Sequence, residues 1–305
     1  MDKSFSVVVG AGPVGRTTAR VLAESGRAVR LISRSGAPGN VPGVDVVAAD
    51  ATDAVRLAEI AAGATTVFNC AMPPYDRWPE EFPPLSAAVL AAAERAGADY
   101  VMLGNTYGYG EVDGPITEDF PLTPTTVKGK VRAQMWQDAL AAHQQGRVKV
   151  AEVRASEYLG AGAASGYTLT VLPAVLAGRE VAYPGDIDAP KSWSYVADVA
   201  RTLVAAGDAT DWGRAWHVPS VATRSVRALT HRVAELAGVV VPTFRRIPIE
   251  ELRRLGEDNP IIAETVEMAY LNENPQLLDS ADTEARLGIT SGSLDEALRE
   301  MIQGA

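Results

Sequence analysis

The feature that most constrains this chain is the stretch Phe5 to Arg34, FSVVVGAGPVGRTTARVLAESGRAVRLISR. Its apolar run, Val7-Val8-Val9, has the length of a buried strand. Gly10, Gly12 and Gly15 then fill G-x-G-x-x-G. Val14, Thr18, Val21, Leu22 and Ser25 recur at helical spacing until Gly26 closes the helix, and a second strand, Ala28 to Ile32, follows at once. A strand, a glycine turn, a helix and a strand within about 30 residues is the context that turns a bare glycine pattern into a predicted dinucleotide site. Gly10 permits the tight turn, Gly12 lets the backbone approach a pyrophosphate, and Gly15 lets the helix lie close to the strand. Gly10, Gly12, Pro13, Val14 and Gly15 are therefore expected to hold the cofactor phosphates. Free N–H groups and the positive end of the helix dipole favour anions there.

The end of the second strand selects the cofactor. An NAD site usually carries Asp or Glu there for the ribose 2′-OH. Here the residues are Ser33, Arg34 and Ser35. A guanidinium can pair a 2′-phosphate through two parallel bonds and cover the adenine face, so NADP(H) is favoured over NAD(H). The alternative is that Arg34 is a solvated loop arginine beside an NAD site that lacks an acid.

A chain of 305 residues can bury a large core as one domain or as two unequal ones. Its net charge of −10 argues against nucleic acid or an anionic membrane as partner, since both demand basic surface. No apolar run approaches the ~20 residues of a membrane span. The first strand begins within a few residues of Met1, so no signal peptide is expected and the cytoplasm is the expected compartment. Cys70 is the only cysteine, and His143, His217 and His231 lie in no ligand-spaced motif, so no metal site is expected.

After a Gly- and Pro-rich loop, Gly36 to Gly43, strands are expected at Val44–Ala48, Thr66–Asn69, Tyr100–Leu103 and Val148–Arg154, with helical stretches between them. Such alternation predicts βαβ units and a doubly wound parallel sheet, an α/β fold of the Rossmann type. Ligands in these sheets lie beyond the carboxyl ends of the strands. Two loops there concentrate aromatic side chains. Cys70 to Pro79 projects Tyr75, Arg77 and Trp78; Gly104 to Gly110 carries Asn105, Thr106, Tyr107 and Tyr109. Both suit contact with a small-molecule substrate, with self-packed aromatics as the alternative. The helix Leu85–Ala96 is apolar nearly all round. A neighbour within the chain, or a second subunit in a homodimer, would satisfy it.

Several stretches together, VVGAGPVG, FNCAMPPYDRW, NTYGYGEVDGPITEDFPLTP, KGKVRAQM, RASEYLGAG, YPGDIDAPKSWSYVADVARTL and AWHVPS, resemble the extended branch of the short-chain dehydrogenase/reductase superfamily, the NAD(P)-dependent epimerase/dehydratase-like proteins, in an atypical form. The resemblance covers nearly the whole chain. It implies a Rossmann domain over 1–155 and a smaller, mainly substrate-binding C-terminal lobe over 156–305, with 190–220 returning to the sheet. It places Asp50 and Ala51 near the adenine, Ala71 and Met72 near the nicotinamide ribose, and Ala155 and Ser156 near the nicotinamide.

The sequence departs from that family at its chemistry. Typical members use Ser or Thr after the fifth strand, then Tyr-x-x-x-Lys on the next helix. Counted from Tyr109-Gly110, the serine position falls on Asn105, with Thr106 beside it. Lys130 fits the lysine and would bind the ribose, which leaves Thr126 where the tyrosine should be. A tyrosine pKa of about 10 can be lowered by a nearby ammonium, whereas an aliphatic hydroxyl is far less acidic. The proton donor must then be another group: Tyr107, Tyr75, Tyr158, Lys128, or a water held by Thr106 and Asn105.

Further on, Tyr167–Leu176 reads as helix, Val181–Tyr183, Lys191–Val196 and Ala215–Val218 as strands, and Val226–Leu236 and Ile261–Leu271 as helices. Ser293 to Glu296 reads as a capping box opening the last helix. Asp186 and Asp188 read as turn formers rather than metal ligands. Trp193 joins Tyr75, Trp78, Tyr109 and Tyr158 as a candidate substrate contact, with packing as its alternative. The leading function is an NADP(H)-dependent oxidoreductase acting on a carbonyl or alcohol of a small organic molecule. A non-redox isomerase, dehydratase or cyclase on the same scaffold, or a catalytically silent NADP(H) sensor, are the alternatives.

Overall fold

The glycine turn sits at the middle of a parallel sheet. In the computed structural model, which describes residues 5–36 and 41–305, the chain begins β1 (Phe5–Val9), α1 (Pro13–Glu24), β2 (Ala28–Ser33), β3 (Asp45–Ala48), α2 (Ala54–Ala61) and β4 (Ala64–Asn69). It continues α3 (Trp78–Ala96), β5 (Asp99–Asn105), α4 (Val127–Gln144), β6 (Val150–Ala155), β7 (Glu157–Leu159), α5 (Leu172–Leu176) and β8 (Val181–Tyr183). Then come β9 (Pro190–Tyr195), α6 (Val196–Asp208), β10 (Arg214–His217), β11 (Ala222–Ser225), α7 (Val226–Ala237) and β12 (Phe244–Arg246). The last helices are α8 (Ile249–Glu257), α9 (Pro260–Glu267), α10 (Tyr270–Glu273), α11 (Ala281–Leu287) and α12 (Leu294–Gln303). Of the expected loop Gly36–Gly43, residues 37–40 lie outside the described residues.

The main sheet has the order β3-β2-β1-β4-β5-β6-β10, every pair parallel. The order reverses between β1 and β4, which opens a crevice at the carboxyl end of β1, the place such sheets bind ligands. Strand side chains alternate between two covered faces. Val7 and Val9 pack with Leu57, Trp78, Phe82 and Val89 beneath α2, α3 and α4. Val8 packs with Leu22, Leu31, Phe68, Leu203 and Trp216 beneath α1 and α6. The nearly all-round apolar character of α3 is met within the chain, since α3 packs against both α2 and α4.

A second lobe is built on a sheet β7-β9-β11, on the parallel pair β8 and β12, and on α5, α7 and α12. Its core holds Tyr167, Trp193, Leu229, Val233, Leu298 and Met301. Among the described residues, no helix is long and apolar enough to cross a membrane.

Four local expectations change. Residues 167–176 open as a π-turn, Tyr167–Val171, before α5, because Pro173 lacks the N–H that an α-helical bond to Leu169 needs. The stretch 261–271 divides into α9 and α10. The last helix starts after Ser293, but that side chain makes no cap bond. The loop expected up to Pro79 ends earlier, since α3 starts at Trp78 with Pro79 in its first turn, where no backbone donor is needed.

Candidate active site

The glycine turn has the shape a dinucleotide needs. Gly10 adopts φ 101°, and a Cβ on it would lie 2.6 Å from the Ala71 backbone, so the ends of β1 and β4 touch there. A Cβ on Gly15 would lie 1.9 Å from the Gly10 carbonyl oxygen, so only hydrogen permits α1 to sit this close. Gly12 is different: its Cβ would meet nothing within 4 Å. It is the N-cap of α1, with no side-chain cap, Pro13 in the first turn and no acid there. By contrast α2, α4, α7 and α9 are capped by Asp53, Thr126, Ser225 and Asn259. The α1 terminus therefore keeps its N–H groups for an anion. A nicotinamide dinucleotide fits this cradle, since Gly12 leaves open space at the uncapped start of α1.

At the end of β2, Arg34 is exposed and Ser33 Oγ accepts from Gly36 N at 3.0 Å. On the neighbouring strand end, after β3, Asp50 Oδ1 accepts from Thr52 N and Thr52 Oγ1, both at 2.8 Å. These bonds, with a smaller contribution from Arg34, hold the Asp50 carboxyl below its ordinary range. Beyond β4, buried Asn69 donates to Tyr100 Oη (2.9 Å) and accepts from Ala71 N (3.2 Å), which fixes the loop that leaves Met72 exposed at 58%. Burial pushes the neighbouring Cys70 thiol up to about 12, which leaves it inert as a nucleophile. Ala155 is enclosed at the end of β6. The Ser156 hydroxyl donates to Ser192 O at 2.6 Å and its N–H to Ser194 Oγ at 2.9 Å, so this hydroxyl joins the two lobes instead of facing a ligand.

The helix after the fifth strand carries the expected pair, Thr126 and Lys130. Thr126 is the N-cap of α4, and its hydroxyl accepts from Gly129 N at 3.1 Å. Lys130 is exposed. One residue pair with the same spacing, Lys128 and Arg132, faces inward instead. Lys128 is fully buried, so it is not a solvated helix lysine. It pairs with Glu264 and, at 3.1 Å, with Glu267, both on α9, and its Nζ stands 4.6 Å from the centre of the Tyr75 ring. Glu267 also accepts from Val127 N at 2.8 Å, so α9 caps the helix that it locks. Arg132 lies over Trp78 and Phe82 and donates to Leu103 O at 3.0 Å, while its Nε is buried with no acceptor. Desolvation holds its pKa below the ordinary value.

Several expected substrate contacts are core residues. Trp78 is 2% exposed and packs on Tyr75 and Phe82. Trp193 is enclosed and donates to Arg224 O at 2.9 Å. Tyr109 is also enclosed, its hydroxyl held by Arg154 (2.7 Å) and His217 (2.6 Å). Tyr75, Tyr107 and Tyr158, on the segments that follow β4, β5 and β6, are half-buried. Asn105 Oδ1 accepts from Tyr107 N at 3.1 Å, which fixes the loop carrying Thr106 and Tyr107. Asp186 and Asp188 close a turn, the first accepting from Asp188 N (2.8 Å) and the second pairing with Arg227.

Other residues of the site were not foreseen. Lys191, 2% exposed, bonds Asn272 Oδ1 (2.8 Å) and Glu157 Oε2 (3.3 Å). Tyr183 Oη donates to the same Asn272 oxygen at 2.8 Å, and the Tyr270 hydroxyl is buried with no partner. For Arg132 a signal was present: Met135, Trp136, Ala139 and Ala142 mark the buried stripe of α4, and stepping back along it reaches Arg132 and Lys128. Nothing local points to Lys191, whose partners lie far along the chain.

A family model described as the NAD dependent epimerase/dehydratase family matches residues 6–219. No curated protein sequence matches the chain. Among solved structures, the chain is similar to MoeE5 in complex with UDP-glucuronic acid and NAD, with 22% identity, TM-score 0.79, and 99% of this chain and 98% of that one covered. It is similar to DesIV, a dTDP-glucose 4,6-dehydratase from Streptomyces venezuelae, with 20% identity, TM-score 0.79, and coverage of 98% and 96%. It is also similar to a UDP-N-acetylglucosamine 4-epimerase from Methanobrevibacter ruminantium, with 15% identity, TM-score 0.81, and coverage of 100% and 98%. At these identities the likeness is one of fold.

Proposed function

The chain belongs to the NAD dependent epimerase/dehydratase family, and on that premise we propose that it is an NADP(H)-dependent oxidoreductase acting on a carbonyl or alcohol of a small organic molecule. The observation that carries this reading is the open glycine cradle. Its Gly12 has nothing within 4 Å, and it lies at the same sheet edge as the phenols of Tyr107 and Tyr158. A bound dinucleotide supplies the hydride chemistry. The chain's own residues bind and orient it. The α1 N–H groups take the phosphates, and exposed Arg34 with Ser33 and Ser35 suits a 2′-phosphate, no acid standing at the end of β2. Arg132 and Lys191 bring positive charge near Tyr107, against the negative charge of Glu157, where negative charge grows on a reacting oxygen. Lys128, sealed by two glutamates, holds Tyr75 and α9 against that site.

The test is direct. The protein is titrated with NADPH and NADH, then challenged with a panel of aldehydes and ketones while nicotinamide absorbance and products are followed. NADPH binding tighter than NADH, with one NADPH consumed per carbonyl reduced, supports the reading. A protein that binds NADPH and reduces none of the panel counts against it.

A second reading has one observation in its favour. The structures that match over nearly the whole chain include complexes with UDP-sugars. A sugar-nucleotide epimerase or dehydratase would return its cofactor to the starting state, and products of unchanged oxidation state would mark it.

A further inference from the structure

We infer that Tyr107 is the catalytic group that exchanges the proton at the reacting oxygen, in place of a tyrosine on α4; this rests on the oxidoreductase reading above. The other candidates on α4 are committed elsewhere. Thr126 caps the helix, Lys130 is exposed, and Lys128 is enclosed between Glu264, Glu267 and the Tyr75 ring. Tyr107, by contrast, follows directly from β5 at the carboxyl edge of the sheet, and it is held from three sides. Its N–H donates to Asn105 Oδ1 at 3.1 Å. Its carbonyl oxygen lies 2.6 Å from where a Cβ on Gly129 would be, so α4 presses on it through a glycine. Its ring packs on Trp78 with centroids 5.9 Å apart. A proton donor must keep one position through the reaction, and these contacts fix the backbone of Tyr107 and pack its ring.

The groups around it suit the task. Tyr75 faces it from the turn before α3, Arg132 from α4, Glu157 and Tyr158 from β7, Lys191 from β9 and Tyr270 from α10. Burial raises the Tyr107 pKa, so the phenol rests protonated. Tyr75 acts on it in the sense that favours the phenolate, as do the charges of Arg132 and Lys191, while Glu157 opposes them. Tyr158 has one such cation, Arg132, and Tyr270 has none that lowers it, while Tyr75 is raised first by burial, then by Tyr107 and by the two glutamates that neutralise Lys128 beside its ring. In the reducing direction the carbonyl carbon takes hydride from the reduced dinucleotide, which is oxidised. The C=O π pair moves to oxygen, and that oxygen takes the proton from Tyr107 Oη. Water then reprotonates the phenolate. Alcohol oxidation runs the same steps backwards.

The experiment labels the Cζ carbons of the nine tyrosines with carbon-13 and identifies the Tyr107 signal by its loss in Tyr107→Phe. Spectra are recorded across pH for the NADP⁺ and NADPH complexes. An acid at the nicotinamide feels the unit of charge by which these differ. The Tyr107 signal should therefore differ between the complexes and move towards the phenolate position at lower pH with NADP⁺. Tyr107→Phe should lower kcat roughly 10²–10⁴-fold with dinucleotide affinity kept. A Tyr107 signal identical in both complexes, or an active Tyr107→Phe enzyme, overturns the assignment. A wild type that reduces no carbonyl removes the oxidoreductase reading itself, so the two failures are told apart.

Discussion

Tyr109 Oη and His217 Nε2 lie 2.6 Å apart inside the fold, and that contact fixes the tautomer of the histidine. His217 Nδ1 is 2.6 Å from the carbonyl oxygen of Asp279, which can only accept, so Nδ1 carries the proton and Nε2 accepts from the phenol. Arg154 donates to the same phenol at 2.7 Å. The chain of bonds joins β6, β10 and the segment before α11, and a second proton on the ring would take away the acceptor of the Tyr109 hydroxyl.

A pH dependence of stability follows. Burial first, then the charges of Arg154 and Arg214, bring the His217 pKa down to about 3. The unfolded chain, with an ordinary histidine pKa of about 6.5, takes up the proton first, so stability is present above that pH and is lost as pH falls. The loss should be on the order of 2 kcal/mol by about pH 5. Urea unfolding of wild type and His217→Asn at a series of pH values checks it, and the variant should show a shallower slope between those limits.

The glycines of the turn should separate binding from stability. Gly12→Val places its side chain where nothing lies within 4 Å, so the melting temperature should hold while NADPH binding is lost. Gly15→Ala forces a Cβ to 1.9 Å from a carbonyl oxygen and should cost about 1–3 kcal/mol or more in folding. Calorimetry beside a fluorescence titration reads both effects.

Arg34→Ala tests cofactor choice. If Arg34 pairs the 2′-phosphate, its loss removes a charge-assisted bond of about 1.5–3 kcal/mol, so NADPH affinity should fall roughly tenfold or more and NADH affinity should stay. Equal affinity for NADPH before and after the change would assign the arginine to solvent.

Thr126 should behave as a cap and not as an acid. Thr126→Ala should cost about 1 kcal/mol of stability, and Thr126→Ser should restore most of it. The pH profile of kcat should be the same in all three proteins, and a profile that moved with the hydroxyl would return Thr126 to the chemistry.

The sheet was legible because each βα unit carries its own signal. Val7–Val9, the three glycines and the Val14–Leu22 helix all lie in one short stretch, and each agrees with the others. The face of α4 was harder to read. Thr126/Lys130 and Lys128/Arg132 share one spacing, and a family pattern ending in lysine selects the first. Glu264 and Glu267, which make a buried Lys128 tolerable, stand some 136 to 139 residues further on. No local window contains them. Trp78, Tyr109 and Trp193 misled for a related reason, since an aromatic beside a strand end serves a ligand or a core equally well until its neighbours are known.

The carboxylate of Glu267 caps a helix that begins at Val127, and the two are separated by more than a third of the chain. On the ribosome, the glycine turn and its flanking strands emerge early. The end of α4 must wait for α9, and domains fold in the order they emerge. A nascent chain would thus have its phosphate cradle before the wall around Tyr75 and Tyr107 can close.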